Sequence, residues 1–186
     1  MLDPKTINTL KKNHILFICE GSAERVIIEK LLEADKLIIS KQQAILDSIE
    51  NRPTTTCRKA KKVQETFLEY DYDGPVAIVR IIDSLQEKFK LSSPYNKIPV
   101  YSFYTRPEIE MLAIIKENQY DQYNQNRKSY KPSDFCKQKL NLSKIKQEKF
   151  LQNYWNDPEE ICKCIQTYNQ KHSPKKGEHS LADLLK

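Results

Sequence analysis

The sequence predicts an α/β fold in which helices flank a mostly parallel sheet. Three strongly apolar segments of strand length lie at residues 14–19, 76–84 and 98–105, and each precedes a segment with helical features. Strands that alternate with helices form parallel sheets, and such strands are continuously apolar because helices cover both faces. Three glycines in 186 residues also favour a helix-rich protein and exclude a glycine-rich phosphate-binding loop.

Composition narrows the class of protein. The formal net charge is +6, from 31 basic and 25 acidic residues, which is compatible with a nucleic-acid partner and equally with a solvated lysine-rich surface. No segment approaches the ~20 apolar residues that span a bilayer, so we expect no membrane partner. The first residues lack an apolar signal region, so we expect a cytoplasmic protein. Five cysteines, an odd number, are then expected to be free thiols.

The first part of the chain predicts a strand–helix unit followed by mixed elements. The apolar strand at 14–19 leads into a helix over 23–34, where apolar residues recur at helical spacing. "KLIIS", residues 36–40, predicts a second short strand. Residues 55–69 predict a helix with a strongly basic face.

The second and third apolar strands continue the alternation. The strand at 76–84 is followed by a predicted short helix at 85–91, and the strand at 98–105 by a buried helix at 106–118. From residue 119 the chain is polar, basic and aromatic, with a final predicted helix at 160–170. We therefore predict a core at residues 1–118 and a mostly helical extension, residues 119–186, packed on it.

Carboxylates lie at or just after the ends of all three apolar strands. Glu20 follows the first, Asp83 ends the second, and Glu108 and Glu110 follow the third. Ligands of parallel sheets bind beyond the carboxyl ends of the strands, so these acids are expected to converge. Converging carboxylates raise each other's pKa unless a cation neutralises them, and Mg²⁺ binds such oxygen ligands.

Each acid also has a structural interpretation. Glu20 lies near a helix N-terminus, where negative charge is favourable, and Asp83 is placed to cap the following helix. The stretch "TRPE", residues 105–108, is a capping-box pattern that by itself explains its glutamate. Glu110 begins an apolar helix and therefore needs a partner, which Arg106 can supply unless it points at phosphate.

Two stretches together resemble the Toprim domain of topoisomerases, primases and small nucleases. They are "LFICEGSAERVIIEKLL" and "VAIVRIIDS"; "YSFYTRPEIEMLAIIKEN" further resembles RloB-like and OLD-like Toprim nucleases of bacterial defence loci. The resemblance covers roughly residues 14–118. It implies a Toprim-like sheet whose acids bind Mg²⁺ (or Mn²⁺), with Glu20 and Asp83 at the positions of the family's glutamate and first aspartate.

This chain departs from the Toprim pattern at Leu85, where the second aspartate is expected. The departure leaves two outcomes open: a single-metal site completed by Glu110 or Glu87, or a scaffold that no longer catalyses. For an active site, the resemblance implies a metal-dependent nuclease in phage defence or RNA processing. Glu20 would act as general base, and Arg106 would offset charge on the phosphate.

Two other functions remain open at this point. One is a non-catalytic Toprim-like subunit that binds nucleic acid or a partner protein from the same locus, for which Leu85 is the motivating feature. The other is a receiver-like or other α/β sensor with an acidic pocket.

Basic and aromatic residues supply the predicted nucleic-acid contacts. The candidate phosphate-binding cations are Arg58, Lys59, Lys62, Lys144 and Lys146. The aromatic residues between 119 and 155 suit base stacking or, alternatively, packing of a helical subdomain. For Phe150, Tyr154 and Trp155 the helical spacing favours packing.

Overall fold

Five parallel strands form one sheet in the computed structural model, which describes residues 2–84, 87–105, 108–172, 174 and 177–186. The strand order is β2–β1–β3–β4–β5, and every neighbouring pair is parallel. The strands are β1 (His14–Cys19), β2 (Thr54–Thr55), β3 (Val76–Ile82), β4 (Val100–Tyr104) and β5 (His179–Ser180). The predicted α/β class is confirmed, and the arrangement is consistent with a Toprim-like fold.

Eight α-helices flank the sheet in the described part of the chain. They are α1 (Pro4–Lys12), α2 (Ser22–Glu33), α3 (Ala60–Val63), α4 (Met111–Lys116), α5 (Tyr120–Asn126), α6 (Pro132–Gln138), α7 (Glu148–Tyr154) and α8 (Pro158–Lys171). The predicted helices at 23–34 and 160–170 are confirmed as α2 and α8. Among the described residues, none of the helices has the length and apolar character needed to cross a membrane.

The sheet separates two apolar clusters. Successive side chains of a strand point to opposite faces, so Ile15 and Phe17 join the larger cluster while Leu16 and Ile18 join the smaller one. Buried residues of α2, α4 and α8 belong to the larger cluster. Val63, at the end of α3, and Phe67 and Leu68, which follow it, belong to the smaller cluster. Burial on both faces explains why β1 and β3 are apolar except for His14 in β1 and Arg80 in β3.

Two predicted elements are not formed. Residues 36–40 do not form a strand, because Leu37 makes only an isolated bridge to Leu185 and its side chain is buried in the larger cluster. The predicted helix at 85–91 is also wrong for its described part, since residues 87–91 have no regular structure. Their apolar residues pack on the smaller cluster instead.

Two predicted helices start later than expected. The helix predicted at 55–69 begins at Ala60, because Thr54 and Thr55 pair with β1 as strand β2. The helix predicted at 106–118 is confined to Met111–Lys116, since the described residues before it form a turn. Its predicted capping box is not formed: the backbone N–H of Thr105 donates to the Ile82 carbonyl and continues the sheet.

The carboxy-terminal part of the chain returns to the sheet. Strand β5, which the sequence did not predict, pairs with β4 through Phe103 and Tyr104. Trp155 is buried in the larger cluster, and Phe150 and Tyr154 pack against it. The packing interpretation of these three aromatic residues is therefore confirmed.

A buried carboxylate fastens α2 to the edge of the sheet. Glu29, at 8% exposure, accepts hydrogen bonds from Nε and Nη2 of Arg52, at 2.9 and 2.6 Å, and from the hydroxyl of Thr54. Arg52 also pairs with Glu148 at the start of α7. Removing one charge from such a buried pair leaves the other uncompensated.

We expect Glu29→Gln to lower the free energy of unfolding by about 2–4 kcal/mol, because Arg52 loses its most buried partner. Chemical denaturation measures the change. The matched control is Glu33→Gln on the same helix, whose exposed carboxylate lies 4.0 Å from Lys41 and should matter by less than about 0.5 kcal/mol. Equal effects of the two substitutions would contradict this account of the network.

Candidate functional site

A cavity of about 200 Å³ lies at the carboxyl ends of β1, β3 and β4. Its lining includes the carboxylates that the sequence predicts to converge, Glu20, Asp83 and Glu110. Glu24 and Glu108 line it as well, so five acids share one cavity, which we call the acidic cavity. The acids converge because β1, β3 and β4 are parallel, so their carboxyl ends lie at the same end of the sheet.

Glu20 links the carboxyl end of β1 to that of β3. Its Oε2 accepts a hydrogen bond of 2.8 Å from the backbone N–H of Asp83, and its Oε1 accepts one of 2.8 Å from Nη1 of Arg58. These contacts, rather than a helix N-terminus, hold the carboxylate. Burial opposes ionisation, but the hydrogen bonds from Asp83 and the charge of Arg58 together lower the pKa of Glu20.

Asp83 has the opposite electrostatic behaviour. Burial, a hydrogen bond with Glu20 and the negative charge of Glu20 raise the pKa of Asp83 to about 6. The two carboxyl groups therefore share a proton over part of the range below neutral pH. The predicted helix that Asp83 would cap is not formed at residues 87–91, so the described structure does not support a capping role.

Glu24 and Asp83 both have a raised pKa, and Glu24 is the more buried of the two. It lies in the first turn of α2, where its Oε2 accepts a 3.1 Å hydrogen bond from the backbone N–H of Gly21. Burial, followed by the charges of Glu110 and Glu20, raises the pKa of Glu24 to about 7. The acidic cavity thus holds more negative charge than the chain itself compensates at neutral pH.

The two acids that follow β4 have different partners. Glu110, only 6% exposed, lies 3.5 Å from Nζ of Lys146, whose own side chain is 58% exposed. Glu108 accepts a 2.9 Å hydrogen bond from the backbone N–H of Ser133 in the first turn of α6. The capping box predicts that Glu108 caps the helix that follows it in the sequence, which is wrong: Glu108 accepts a hydrogen bond from the first turn of α6 instead. Arg106, the expected partner of Glu110, lies outside the described residues, as does Leu85.

An open basic cleft of about 720 Å³ adjoins the acidic cavity. Three of the predicted nucleic-acid-binding residues, Arg58, Lys59 and Lys62, line it together with Lys88. Glu20 belongs to the lining of both the cleft and the cavity. Lys144 is exposed in the turn that carries Lys146 and belongs to neither lining.

The donor chemistry of the acidic cavity fits a hard divalent cation. Carboxylate oxygens are the ligands that Mg²⁺ prefers, and carboxyl groups that retain protons near neutral pH are those that a cation would deprotonate. Among the residues that the structure describes, no three potential ligands are grouped closely enough to hold a metal ion as they stand. Arg58 and Lys146, both exposed enough to turn outward, neutralise Glu20 and Glu110 instead.

Sequence reasoning did not select two members of this region. Glu24 stands three positions after Gly21 at the start of a helix, a spacing that predicts its backbone hydrogen bond but not its neighbours across the cavity. Lys88 lies in a segment without regular structure, so no periodicity could indicate which way it faces.

The chain was compared with protein-family models, curated proteins and solved structures, and no significant match was found in any of the three.

The raised pKa of Glu24 predicts a pH-dependent stability. In the unfolded chain this carboxyl ionises near 4.5, and in the folded protein near 7. The folded state therefore binds the extra proton between these values, and stability falls as pH rises from about 5 to about 7, by up to ~3 kcal/mol. The loss levels off about one pH unit above 7, where Glu24 is ionised in both states.

Chemical denaturation from pH 5 to pH 8, in a chelator, measures this fall. Glu24→Gln retains an oxygen acceptor for the Gly21 N–H but does not titrate, so its stability should decrease less over the same range. Parallel pH profiles for the two proteins would show that Glu24 ionises normally.

Proposed function

We propose that the protein is a metal-dependent nuclease that hydrolyses phosphodiesters of nucleic acid at the acidic cavity. The observation that carries the proposal is the junction at Glu20, where a cavity lined by five carboxylates adjoins a cleft lined by four cations. A nuclease needs both: cations to bind the phosphate backbone, and acids to hold the metal at the bond that is cleaved.

The cleft residues would bind and orient the substrate. Arg58 presents a planar guanidinium suited to two-point contact with phosphate, while Lys59, Lys62 and Lys88 supply point charges along the cleft. When Arg58 turns towards a phosphate, it releases Oε1 of Glu20. Binding of the substrate would thereby free the carboxylate at the entrance of the acidic cavity.

The cavity residues would hold the cation and move the proton. Glu20, Asp83 and Glu110 are the proposed Mg²⁺ or Mn²⁺ ligands, with Glu24 as a further carboxylate beside them. The bound metal ion would supply Lewis-acid polarisation of a phosphoryl oxygen. Glu20 is the proposed general base for the attacking water: its lowered pKa keeps it ionised at neutral pH, and the departure of Arg58 on substrate binding would raise that pKa and make the carboxylate a stronger base.

The resemblance of residues 14–118 to Toprim nucleases supports the same function and suggests phage defence or RNA processing as its setting. The sheet supports it as well, since all its strands are parallel and the acids lie at their carboxyl ends.

A non-catalytic nucleic-acid-binding subunit is the second candidate. Its supporting observation is that Arg58 and Lys146 already pair with Glu20 and Glu110, as expected if these acids orient basic side chains and hold no metal. Leu85, in place of the usual aspartate, favours this function too.

Cleavage assays with acid substitutions test the nuclease. With Mg²⁺ or Mn²⁺ and labelled single- and double-stranded DNA and RNA, Glu20→Gln and Asp83→Asn should each lower the cleavage rate by about 100-fold or more, because each removes a charged ligand. Glu65→Gln removes an exposed charge outside both linings and should retain the rate. Binding without cleavage under every divalent ion would favour the second candidate.

The dependence of binding on salt tests the cleft. In a chelator, Arg58→Gln and Lys62→Gln should each reduce the slope of log affinity against log salt by about 1, since each removes one phosphate contact. Lys11→Gln is the matched control, because Lys11 is exposed at the end of α1, just before the amino end of β1, whereas Glu20 follows the carboxyl end of that strand. Equal slopes for all three variants would place binding elsewhere.

A further inference from the structure

Arg80 is a buried arginine with unused hydrogen-bonding capacity. It lies in the middle of β3, opposite Ile18 of β1 and Ser102 of β4, and is only 4% exposed. Its Nε and Nη2 have no hydrogen-bond partner among the described residues. Buried guanidinium groups are normally satisfied by several acceptors, so these unused donors require an explanation.

Arg80 contacts a residue that lines the basic cleft. Its guanidinium carbon lies 4.6 Å from the centre of the Phe89 ring, a cation–π contact. Nη2 lies 3.2 Å from Oε1 of Glu87, an ion pair that is not aligned as a hydrogen bond. Glu87 lines the basic cleft, so Arg80 lies directly behind its wall.

Glu87 contacts a second arginine as well. Its Oε2 is 3.6 Å from Nη1 of Arg58, while its Oε1 faces Arg80. One carboxylate thus lies between two guanidinium groups: its contact with Arg58 is longer than a hydrogen bond, and its contact with Arg80 does not have hydrogen-bond geometry. A phosphate has more acceptor oxygens than a carboxylate and can hydrogen-bond to both groups at once.

We propose that Arg58 and Arg80 form a two-arginine phosphate-binding site, the arginine fork, in which Glu87 occupies the place of the phosphate when no substrate is bound. The inference rests on the proposed function for its ligand, a phosphodiester of nucleic acid. Glu87 is carried by residues 87–91, which have no regular structure, so it can leave the fork without disrupting a helix or strand. Glu87 is therefore an internal competitor of the substrate.

Competition by Glu87 predicts a gain of affinity when its charge is removed. A ligand that must displace an internal group binds with an affinity reduced by the fraction of molecules in which the site is free. For a fork that is free in about one molecule in ten, Glu87→Gln should tighten binding of a labelled single-stranded oligonucleotide about tenfold. Fluorescence anisotropy at fixed salt, in a chelator, measures this change.

Matched variants separate the fork from general electrostatics. Glu65→Gln removes the same charge from an exposed carboxylate that pairs only with Lys61 among the described residues, and should change affinity less than twofold. The gain from Glu87→Gln should vanish when Arg58→Gln or Arg80→Met is also present. If Arg80→Met does not fold, as judged by thermal denaturation, the Arg58→Gln pair decides.

Three results would overturn the inference. The first is an equal gain from Glu87→Gln and Glu65→Gln, and the second is a gain that persists with Arg58→Gln. The third is inorganic phosphate binding the Glu87→Gln protein as tightly as the oligonucleotide does, which would make the fork a site for free phosphate. Because the assay contains no divalent ion, its outcome is independent of whether the protein cleaves nucleic acid.

Discussion

The parallel register between β1 and β3 is the constraint on which the site depends. Cys19 lies opposite Ile81, the backbone N–H of Glu20 donates to the Ile81 carbonyl, and the carboxylate of Glu20 accepts from the N–H of Asp83. A shift of one residue would turn every side chain of β1 to the other face of the sheet. The two faces of β1 carry side chains of different shape that pack in separate clusters, so this shift would disrupt the close packing of both, and the packing thereby fixes the positions of the acids.

The charges at this edge are balanced by protons and by the chain's own cations. Arg58 and Lys146 neutralise one acid each, and protons retained near neutral pH by Asp83 and Glu24 compensate part of the remainder. Both cations belong to partly exposed side chains that can be displaced, whereas the acids are held by strands and by α2. The negative charges are therefore the fixed part of the site, and the positive charges are the exchangeable part.

The sequence was sufficient for the three long strands, β1, β3 and β4, and for the acids that follow them, because apolar runs and local order determine both. Glu20, Asp83 and Glu110 could be chosen since their positions follow from strand ends and parallel topology alone. Residues 36–40 were wrongly predicted to form a strand, and strand β5 was not predicted. In both cases tertiary contacts, not the local sequence pattern, decide whether a short segment joins the sheet. The contact between Arg80 and Glu87 likewise joins β3 to a segment without regular structure, so no spacing in the sequence could indicate it.

Glu20 and Arg58 couple the two halves of the proposed site. Arg58 contacts both Glu20, in the acidic cavity, and Glu87, in the arginine fork. A phosphate that draws Arg58 away from Glu20 increases the negative charge available to a cation in the cavity. By thermodynamic linkage, a cation that binds Glu20 must then release Arg58 and strengthen phosphate binding by the same factor. In the proposed nuclease, a single arginine would thus make metal and substrate bind cooperatively, and each would bind more tightly in the presence of the other.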